Sequence, residues 1–408
     1  MKKSIQYQLS FMMFLEFFIW GGWFVTLGSF LGNNLSATGA ETGMAYSTQS
    51  WGAIIAPFII GLIADKFFNA EKILGVLHIV GAVLMYQMSQ STEFATFYPY
   101  VLGYMIAYMP TLALVNSVSF NQMKDPAKEF PLVRVFGTIG WILAGLIISF
   151  VFKWDSIENI GNGMLSNTFT MVAIASAVLG VFSFTLPKTP PKGKGEKTSI
   201  SDILGLDALK LLKDRNFLVF FVSSVLICIP LAFYYQNISP FLTEYKVENS
   251  TAWASIGQIS EVGFMLLLPF FFKKYGFKKT ILFGMLAWGI RYVLFAYGNA
   301  GDLFFMLVIG IALHGICYDF FFVSGQIYTD SKAGDKVKSA AQGLITLATY
   351  GIGMLVGFWV AGNIVDKNLL AEGNHSWQDV WMFPALFAIG VLIFFAVLFK
   401  NEKVEYKA

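Results

Sequence analysis

Long apolar runs alternate with short polar segments along the whole chain. Twelve runs reach the length of about 20 residues that an α-helix needs to cross the hydrocarbon core of a bilayer. The runs lie at 8–31, 43–64, 72–91, 96–120, 135–153, 167–186, 217–243, 252–272, 279–298, 302–328, 338–364 and 379–399. This pattern predicts an all-α integral membrane protein with twelve transmembrane helices.

The longest polar connection follows the sixth run and divides the chain. It predicts an N-terminal six-helix half at 1–187, a linker at 188–216 and a C-terminal six-helix half at 217–408. The end of the linker, ISDILGLDALKLLKD, has the spacing of an amphipathic helix at a membrane surface. Lys and Arg concentrate at both termini, in this linker and in the loops on the same side. The positive-inside rule therefore predicts that all of these segments are cytoplasmic.

Two segments six runs apart have a similar pattern, which indicates an internal repeat. PFIIGLIADKFFNAEK joins the second and third runs, and LPFFFKKYGFKKT joins the eighth and ninth. Halves of the same topology predict a substrate site near the middle of the membrane between them. The first segment resembles the loop signature of the major facilitator superfamily at Gly61, Asp65 and Lys66. This resemblance implies the major facilitator fold and a loop that controls switching between conformations.

The composition supports a membrane protein and excludes several other classes. Hydrophobic residues make up 56% of the chain and charged residues 13%, whereas about a quarter of the residues of a soluble domain are charged. Cys228 and Cys317 both lie inside apolar runs, so we predict neither a disulfide framework nor a metal site. Motifs such as His-Glu-x-x-His and Gly-x-Ser-x-Gly are absent from the sequence, and we expect no enzyme and no cofactor.

Few ionisable residues interrupt the apolar runs, and each is a candidate for function. A charged side chain at the centre of a membrane helix costs about 2.5–3.5 kcal/mol, so such residues usually face a cavity or a partner. The set is Glu16, Arg134, Glu261, Arg291, Asp319, His78 and His314. Arg134 shares a helix face with Thr138 and Trp141. We expect His78 to be a packed core residue and Arg291 to be structural.

The side chains next to these charges suit a polar solute that carries a ring. Gln258 and Glu261 are neighbours on one helix face, and Tyr318 lies one turn after His314 and directly before Asp319. Carboxylates and amides bind hydroxyl groups or the edge of a base, whereas Trp and Tyr offer faces for stacking. A nucleoside and a sugar both fit this chemistry, and a fatty or cationic drug fits it less well.

The charges also predict coupling to protons. The three acids and two arginines in the runs leave one acid without a basic partner, and a carboxylate in a low-dielectric site can stay protonated. We expect Glu261 or Asp319 to carry the coupling proton. Arg134 is expected to pair with an acid when that proton has left.

Several motifs resemble the nucleoside:proton symporters of the major facilitator superfamily, across nearly all of the runs. They are FLEFFIWGGWFVTLGSF, YMPTLALVNSVSF, FPLVRVFGTIGW, GQISEVGFMLLLPFFFKKYG, HGICYDFFFVSG and SAAQG. The resemblance implies proton-driven uptake of nucleosides across a bacterial inner membrane. The site residues that it implies are Arg134, Thr138, Trp141, Gln258, Glu261, Tyr318 and Asp319.

Three places depart from the pattern of that family, and they bear on the substrate. The seventh run has the apolar IPLAF where family members have amides, so Tyr235 and Gln236 are the nearest polar candidates. Glu16 stands where a glutamine can occur, and His314 stands where a tyrosine can occur. The candidate substrate-binding set is therefore Arg134, Thr138, Trp141, Gln258, Glu261, Tyr318, Asp319, His314, Glu16, Asn116, Tyr235 and Gln236.

Other functions of the same architecture stay open at this point. A proton-coupled transporter of sugars or other small polar solutes would use the same residue types. An exporter driven by proton antiport would move its solute in the opposite direction, and a membrane receptor would bind without turnover. The predicted partners are the solute, a proton and the lipid bilayer; no nucleic acid is expected, and a monomer is sufficient.

Overall fold

The computed structural model describes residues 1–59, 67–191, 206–333 and 337–402. Within these ranges the chain is helical and forms no β-strand, which confirms the predicted all-α class. Gly61, Asp65 and Lys66, the predicted switching residues, lie outside the described residues. The first part of the predicted linker helix also lies outside them.

The helices of the first part of the chain follow one another with short connections. They are α1 (Lys3–Gly21), α2 (Leu27–Leu35), α3 (Gly39–Ile59), α4 (Ala70–Gln90), α5 (Phe94–Asn121), α6 (Pro126–Leu146), α7 (Ile157–Gly161) and α8 (Ser166–Ser183). α6 continues as a π-helical segment at Ile147–Phe152. This segment lengthens α6 to the end of the predicted fifth run.

A 3-10 helix at Leu206–Lys213 precedes the helices of the second part. These are α9 (Arg215–Glu244), α10 (Ser250–Tyr297), α11 (Phe304–Ala312), α12 (His314–Tyr318), α13 (Ser324–Ala333), α14 (Lys338–Thr346), α15 (Met354–Lys367) and α16 (Trp377–Leu398). One π-helical segment, Asp319–Val323, joins α12 to α13, and another, Leu347–Gly353, joins α14 to α15. The described end of the linker is thus 3-10 helical, where the sequence predicted an amphipathic helix.

In the described parts of the chain, nine helical stretches are long and apolar enough to cross a bilayer. α10, with 48 residues, covers the two predicted runs 252–272 and 279–298. Gly276 turns the chain between them with a φ of 75°, a conformation that glycine adopts without strain. The predicted run 8–31 is split into α1 and α2, because the glycine pair Gly21–Gly22 weakens the helix at this point.

The described residues form two compact units. The first comprises Met1–Ala37, Thr48–Ile203 and Glu248–Ala252, and the second comprises Thr38–Ser47, Leu204–Val247 and Trp253–Ala408. The domain boundaries predicted from the sequence, at 187 and 217, stay a prediction.

In the first unit, α1 packs along α6 because a glycine lets the two backbones meet. A Cβ atom at Gly140 would lie 2.2 Å from the carbonyl oxygen of Phe14, so a larger residue would push the helices apart. The contact brings Arg134 and Trp141 of α6 against α1. α4 packs against both α5 and α8 in the same unit.

In the second unit, α10 and α12 meet at Gly315. A Cβ atom at Gly315 would lie 2.6 Å from the backbone carbonyl carbon of Ser260 and 2.7 Å from the backbone nitrogen of Glu261. The backbone N–H of Gly315 donates to Ser260 Oγ at 3.1 Å, which satisfies a donor left free at the start of α12. This contact brings Glu261 beside the segment that carries Asp319.

Candidate functional site

Asp319 lies at a change of helical geometry, as the first residue of the π-helical segment Asp319–Val323. Its side chain is fully buried, and no donor among the described residues reaches either carboxylate oxygen. Single π-helical turns inside α-helices are frequent at functional sites. A buried carboxylate without a hydrogen-bond donor is therefore a candidate for binding a ligand or a proton.

α10 contributes two half-buried polar side chains, Gln258 and Glu261, which lie one turn apart. Glu261 lies close enough to Asp319 for their charges to interact. The amide oxygen of Gln258 accepts no hydrogen bond from any residue in the described ranges. It is an acceptor that a hydroxyl group or a base edge can use, one turn before the Glu261 carboxylate.

Ring side chains of the second unit cluster around Tyr318. The hydroxyl oxygens of Tyr318 and Tyr350 lie 3.1 Å apart, and the His314 ring lies 5.9 Å from that of Tyr318 and 6.4 Å from that of Tyr235, centre to centre. Tyr350 was not predicted as a site residue, because it is an uncharged residue within the apolar run 338–364. Tyr350 lies in the π-helical segment Leu347–Gly353, and no pattern in the sequence indicates that this segment is π-helical.

Arg291 is fully buried and makes no ion pair with a carboxylate of the described residues. Its guanidinium carbon lies 3.5 Å from the centre of the Tyr234 ring, and its Nη1 lies 3.1 Å from His314 Nδ1. A guanidinium has donors only, so Nδ1 of His314 accepts from it. The remaining proton of a neutral His314 ring is then on Nε2, which makes that nitrogen a hydrogen-bond donor.

Gln236 is engaged in helix packing within the second unit. It is fully buried on α9. In the amide orientation that satisfies both ends, its nitrogen donates to the carbonyl oxygen of Phe358 at 3.2 Å, and its oxygen accepts from the backbone N–H of Gly362 at 3.3 Å. These bonds hold α9 against α15 and occupy the polar groups of Gln236 in this conformation.

In the first unit, aromatic rings of α1 flank the predicted residues of α6. The Arg134 guanidinium lies 4.0 Å from the centre of the Phe17 ring. The Trp141 and Trp20 rings lie 5.6 Å apart at an angle of 64°, which is an edge-on pair. The predicted residues that are half-buried in this unit are Arg134, Thr138, Trp141 and Asn116. This group combines a fixed positive charge with flat ring faces.

Glu16 faces the interior of the first unit. One carboxylate oxygen lies 2.8 Å from His78 Nε2, and the other accepts from Thr111 Oγ1 at 2.6 Å. The hydroxyl of Tyr108 donates to the backbone carbonyl of Glu16 at 2.7 Å. His78 is buried, as expected of a core histidine, but its pairing with Glu16 was not predicted. Both oxygens of Glu16 are thus occupied by side chains of this unit.

The fold and these residues define a class of protein. A helical membrane protein with buried carboxylates beside tyrosines and amides is typical of a solute transporter, and the fold is that of the major facilitator transporters. The model of the nucleoside H+ symporter family matches residues 2–404. The chain therefore belongs to this family, which confirms the resemblance seen in the sequence.

Individual relatives agree with this assignment. The protein YegT of Escherichia coli (strain K12) is 44% identical over 98% of this chain and 95% of its own length. Xanthosine permease of the same organism is 34% identical over 99% of both chains. The crystal structure of the nucleoside transporter NupG matches with a TM-score of 0.87 and 30% identity, over 98% of this chain and 100% of that chain.

Proposed function

We propose that this protein carries nucleosides together with protons into the cell across the bacterial inner membrane. Its membership of the nucleoside H+ symporter family supports this function. In the proposed arrangement, twelve helices span the membrane, both termini are cytoplasmic, and a single chain in the lipid bilayer works by alternating access.

The observation that carries the proposal is the burial of Asp319 without a hydrogen-bond donor among the described residues. An ionised carboxylate in such a place costs several kcal/mol, so we assign the neutral, proton-loaded form to this conformation. The proton leaves when the conformation changes and water reaches the side chain. The neighbouring carboxylate of Glu261 favours this assignment, because two adjacent acids in a low-dielectric site resist ionising together.

One proton at Asp319 provides enough free energy for accumulation. A single charge moving down 100 mV releases about 2.3 kcal/mol. At about 1.4 kcal/mol for each tenfold change in concentration, it sustains a gradient of roughly fifty-fold. Each coupled proton therefore multiplies the accumulation ratio by roughly this factor.

The other predicted residues offer the kinds of contact that a nucleoside needs. Trp141 and Tyr318 offer ring faces, on which a base stacks with about 1–3 kcal/mol. Gln258 and Glu261 accept hydrogen bonds from ribose hydroxyls or from a base edge. Other residues assigned to substrate are Arg134, Thr138, His314, Tyr235 and Asn116. Arg134 also pairs with an acid after the proton has left.

The test is uptake of labelled uridine, adenosine and a free pentose into proteoliposomes with an inward proton gradient. We expect a nucleoside to accumulate and a protonophore to abolish the accumulation. Asp319→Asn is expected to lower the accumulation ratio by a factor of roughly fifty under 100 mV. Asp302→Asn, at an exposed position, is the matched control and should leave the ratio unchanged.

The same assay separates the second candidate function, a proton-coupled transporter of sugars. The carboxylates and aromatic rings of the site also suit a carbohydrate, and a 21% identical relative over 68% of the chain is a sucrose permease. Entry of the pentose without entry of either nucleoside would favour this candidate. Net exit of nucleoside under the inward proton gradient would instead indicate antiport.

A further inference from the structure

A second buried acid lies in the first unit, in surroundings unlike those of Asp319. Glu16 of α1 is 0% exposed and His78 of α4 is 1% exposed, and their side chains meet at 2.8 Å. Thr111 of α5 closes the network on one side, at 2.6 Å from Glu16, and Ser176 of α8 closes it on the other, at 3.2 Å from His78 Nδ1. Four helices of this unit thus meet at one carboxylate–imidazole pair.

The hydrogen bonds show that this pair holds at least one proton besides the one on His78 Nδ1. Ser176 Oγ donates its only proton to the backbone carbonyl of His78, at 2.9 Å. The same oxygen must therefore accept from His78 Nδ1, so that nitrogen carries a proton. His78 Nε2 then faces a Glu16 oxygen at 2.8 Å. Two lone pairs repel at this distance, so one further proton lies between the two side chains.

The charge balance also favours a bound proton. With it, the pair is imidazolium and carboxylate, or imidazole and carboxylic acid, and both forms are neutral overall. Without it, the pair carries one negative charge in the membrane interior, which is costly. The titratable groups that the Glu16 charge reaches are Tyr104 and Tyr108 of α5. The charge of Arg134, on α6, reaches Tyr108 in turn. α8 contributes no titratable residue at all, only polar groups such as Ser176.

The pair lies where the helices are interrupted. α1 ends at Gly21, little more than one turn after Glu16, and α2 begins only at Leu27. Pro110 lies inside α5 directly before Thr111, and proline removes a backbone hydrogen bond and bends a helix. Interrupted helices line the ion and substrate sites of many transporters. A rearrangement at these breaks can expose the pair to water without unfolding a helix.

We infer that the Glu16–His78 pair is a second proton-binding site, which binds and releases one proton in each transport cycle. The inference rests on the proposed function, because it adds a proton to the one assigned to Asp319. One nucleoside then moves with two protons, one bound in each unit. The exchange needs no other reactant, since a proton enters the pair from one aqueous side and leaves to the other.

The sharpest test is Glu16→Gln, which keeps the hydrogen bonds and removes the extra proton. The amide nitrogen of the glutamine can donate to His78 Nε2, and its oxygen can accept from Thr111. In proteoliposomes at 100 mV, the accumulation ratio of the wild type is expected to be roughly two thousand-fold and that of Glu16→Gln roughly fifty-fold. Glu93→Gln, at an exposed position at the start of α5, is the matched control and should keep the wild-type ratio.

The outcomes separate this inference from the proposed function. A Glu16→Gln variant that accumulates nucleoside as the wild type does overturns the inference and leaves the symport intact. A wild type that moves one proton for each nucleoside also overturns the inference alone. Absence of any nucleoside-dependent proton movement in the wild type overturns both.

A second measurement covers the case in which Glu16→Gln does not fold. The chain contains only three histidines, so ¹⁵N-histidine NMR of the wild type can report on His78 once His314→Gln and His375→Gln have assigned the other two signals. Without nucleoside, we expect both ring nitrogens of His78 to be protonated or to share a proton. When nucleoside is added across a pH titration, we expect the chemical shifts of the His78 ring nitrogens to change. A His78 signal that neither pH nor nucleoside alters would overturn the inference.

Discussion

Arg291 is a buried charge without an acidic partner in the described residues, and Arg291→Met tests what it does. Its guanidinium lies over the Tyr234 ring at 3.5 Å and bonds to His314 at 3.1 Å. Methionine is shorter and unbranched, but it is flexible and fills much of the same space without the charge. The substitution therefore separates a role in stability from a role in holding His314.

The favourable contacts of Arg291 and the cost of burying its charge contribute amounts of similar size to stability. The contact with Tyr234 contributes about 2 kcal/mol when it is desolvated, and a hydrogen bond from a charged group contributes about 1.5–3 kcal/mol. The effective cost of burying the guanidinium is several kcal/mol, and replacing a buried charge by an apolar side chain is often neutral or stabilising. We therefore expect the melting temperature of Arg291→Met to be equal to that of the wild type or higher.

Substrate binding is expected to weaken, although the melting temperature stays equal or rises. Without Arg291, the ring of His314 can change its tautomer, and its Nε2 no longer offers a fixed donor. The loss of one hydrogen bond, about 0.5–1.5 kcal/mol, raises the KM for nucleoside about two- to twelve-fold. The measurements are thermal unfolding of the purified protein in detergent and initial uptake rates in proteoliposomes.

Arg215→Met is the matched control, because Arg215 is exposed at the start of α9 and should change neither quantity. A large fall in melting temperature together with an unchanged KM would refute the reasoning. It would mean that Arg291 stabilises the second unit and does not position His314.

Two further substitutions test the packing and the helix ends. Gly315→Ala places a Cβ atom 2.6 Å from the backbone of Ser260, so we expect a loss of about 1–3 kcal/mol of stability in thermal unfolding, whereas Gly343→Ala, with nothing within 4 Å, should be neutral or stabilising. Burial alone would raise the pKa of Asp214 above its ordinary 3.8, but the backbone N–H of Phe217 and a lysine ammonium outweigh it and lower the pKa. The stability that Asp214 contributes is therefore present at a pH above its ordinary pKa and is lost as the pH falls through the lower pKa of the folded state. Asp214→Asn should flatten this dependence of the melting temperature on acid pH. A dependence that stays the same in the variant would contradict this role of Asp214.

The helices could be predicted from the sequence because membrane spans need only length and apolarity. The interruptions could not, because they depend on contacts between distant residues. Asp319 begins a π-helical turn, and no local pattern distinguishes this turn from the α-helix that surrounds it. The close approach at Gly315 likewise requires Ser260 of another helix.

The sequence indicated which residues are candidates for the site. It did not indicate which side chains contact one another. Glu16 was identified as an acid in an apolar run, but its partner His78 lies 62 positions along the chain, and only the packing of α1 against neighbouring helices brings them together. Gln236 was identified as the nearest amide to the expected site, yet its amide bonds the backbone of α15. A buried polar residue has the same appearance in a sequence whether it binds a solute or a helix.

Asp319 and Glu16 illustrate two ways to hold a proton in a membrane helix. Asp319 is buried without a donor among the described residues, so the cost of its charge alone favours the neutral acid. Glu16 has a base at 2.8 Å, so its proton is held by a partner that can share it. Because each coupled proton multiplies the accumulation ratio by the same factor, the losses caused by removing the two acids should also multiply. Each single amide variant should lose a factor of roughly fifty under 100 mV, and the double variant should equilibrate nucleoside without accumulating it. Accumulation that persists in the double variant would show that a third group carries a proton.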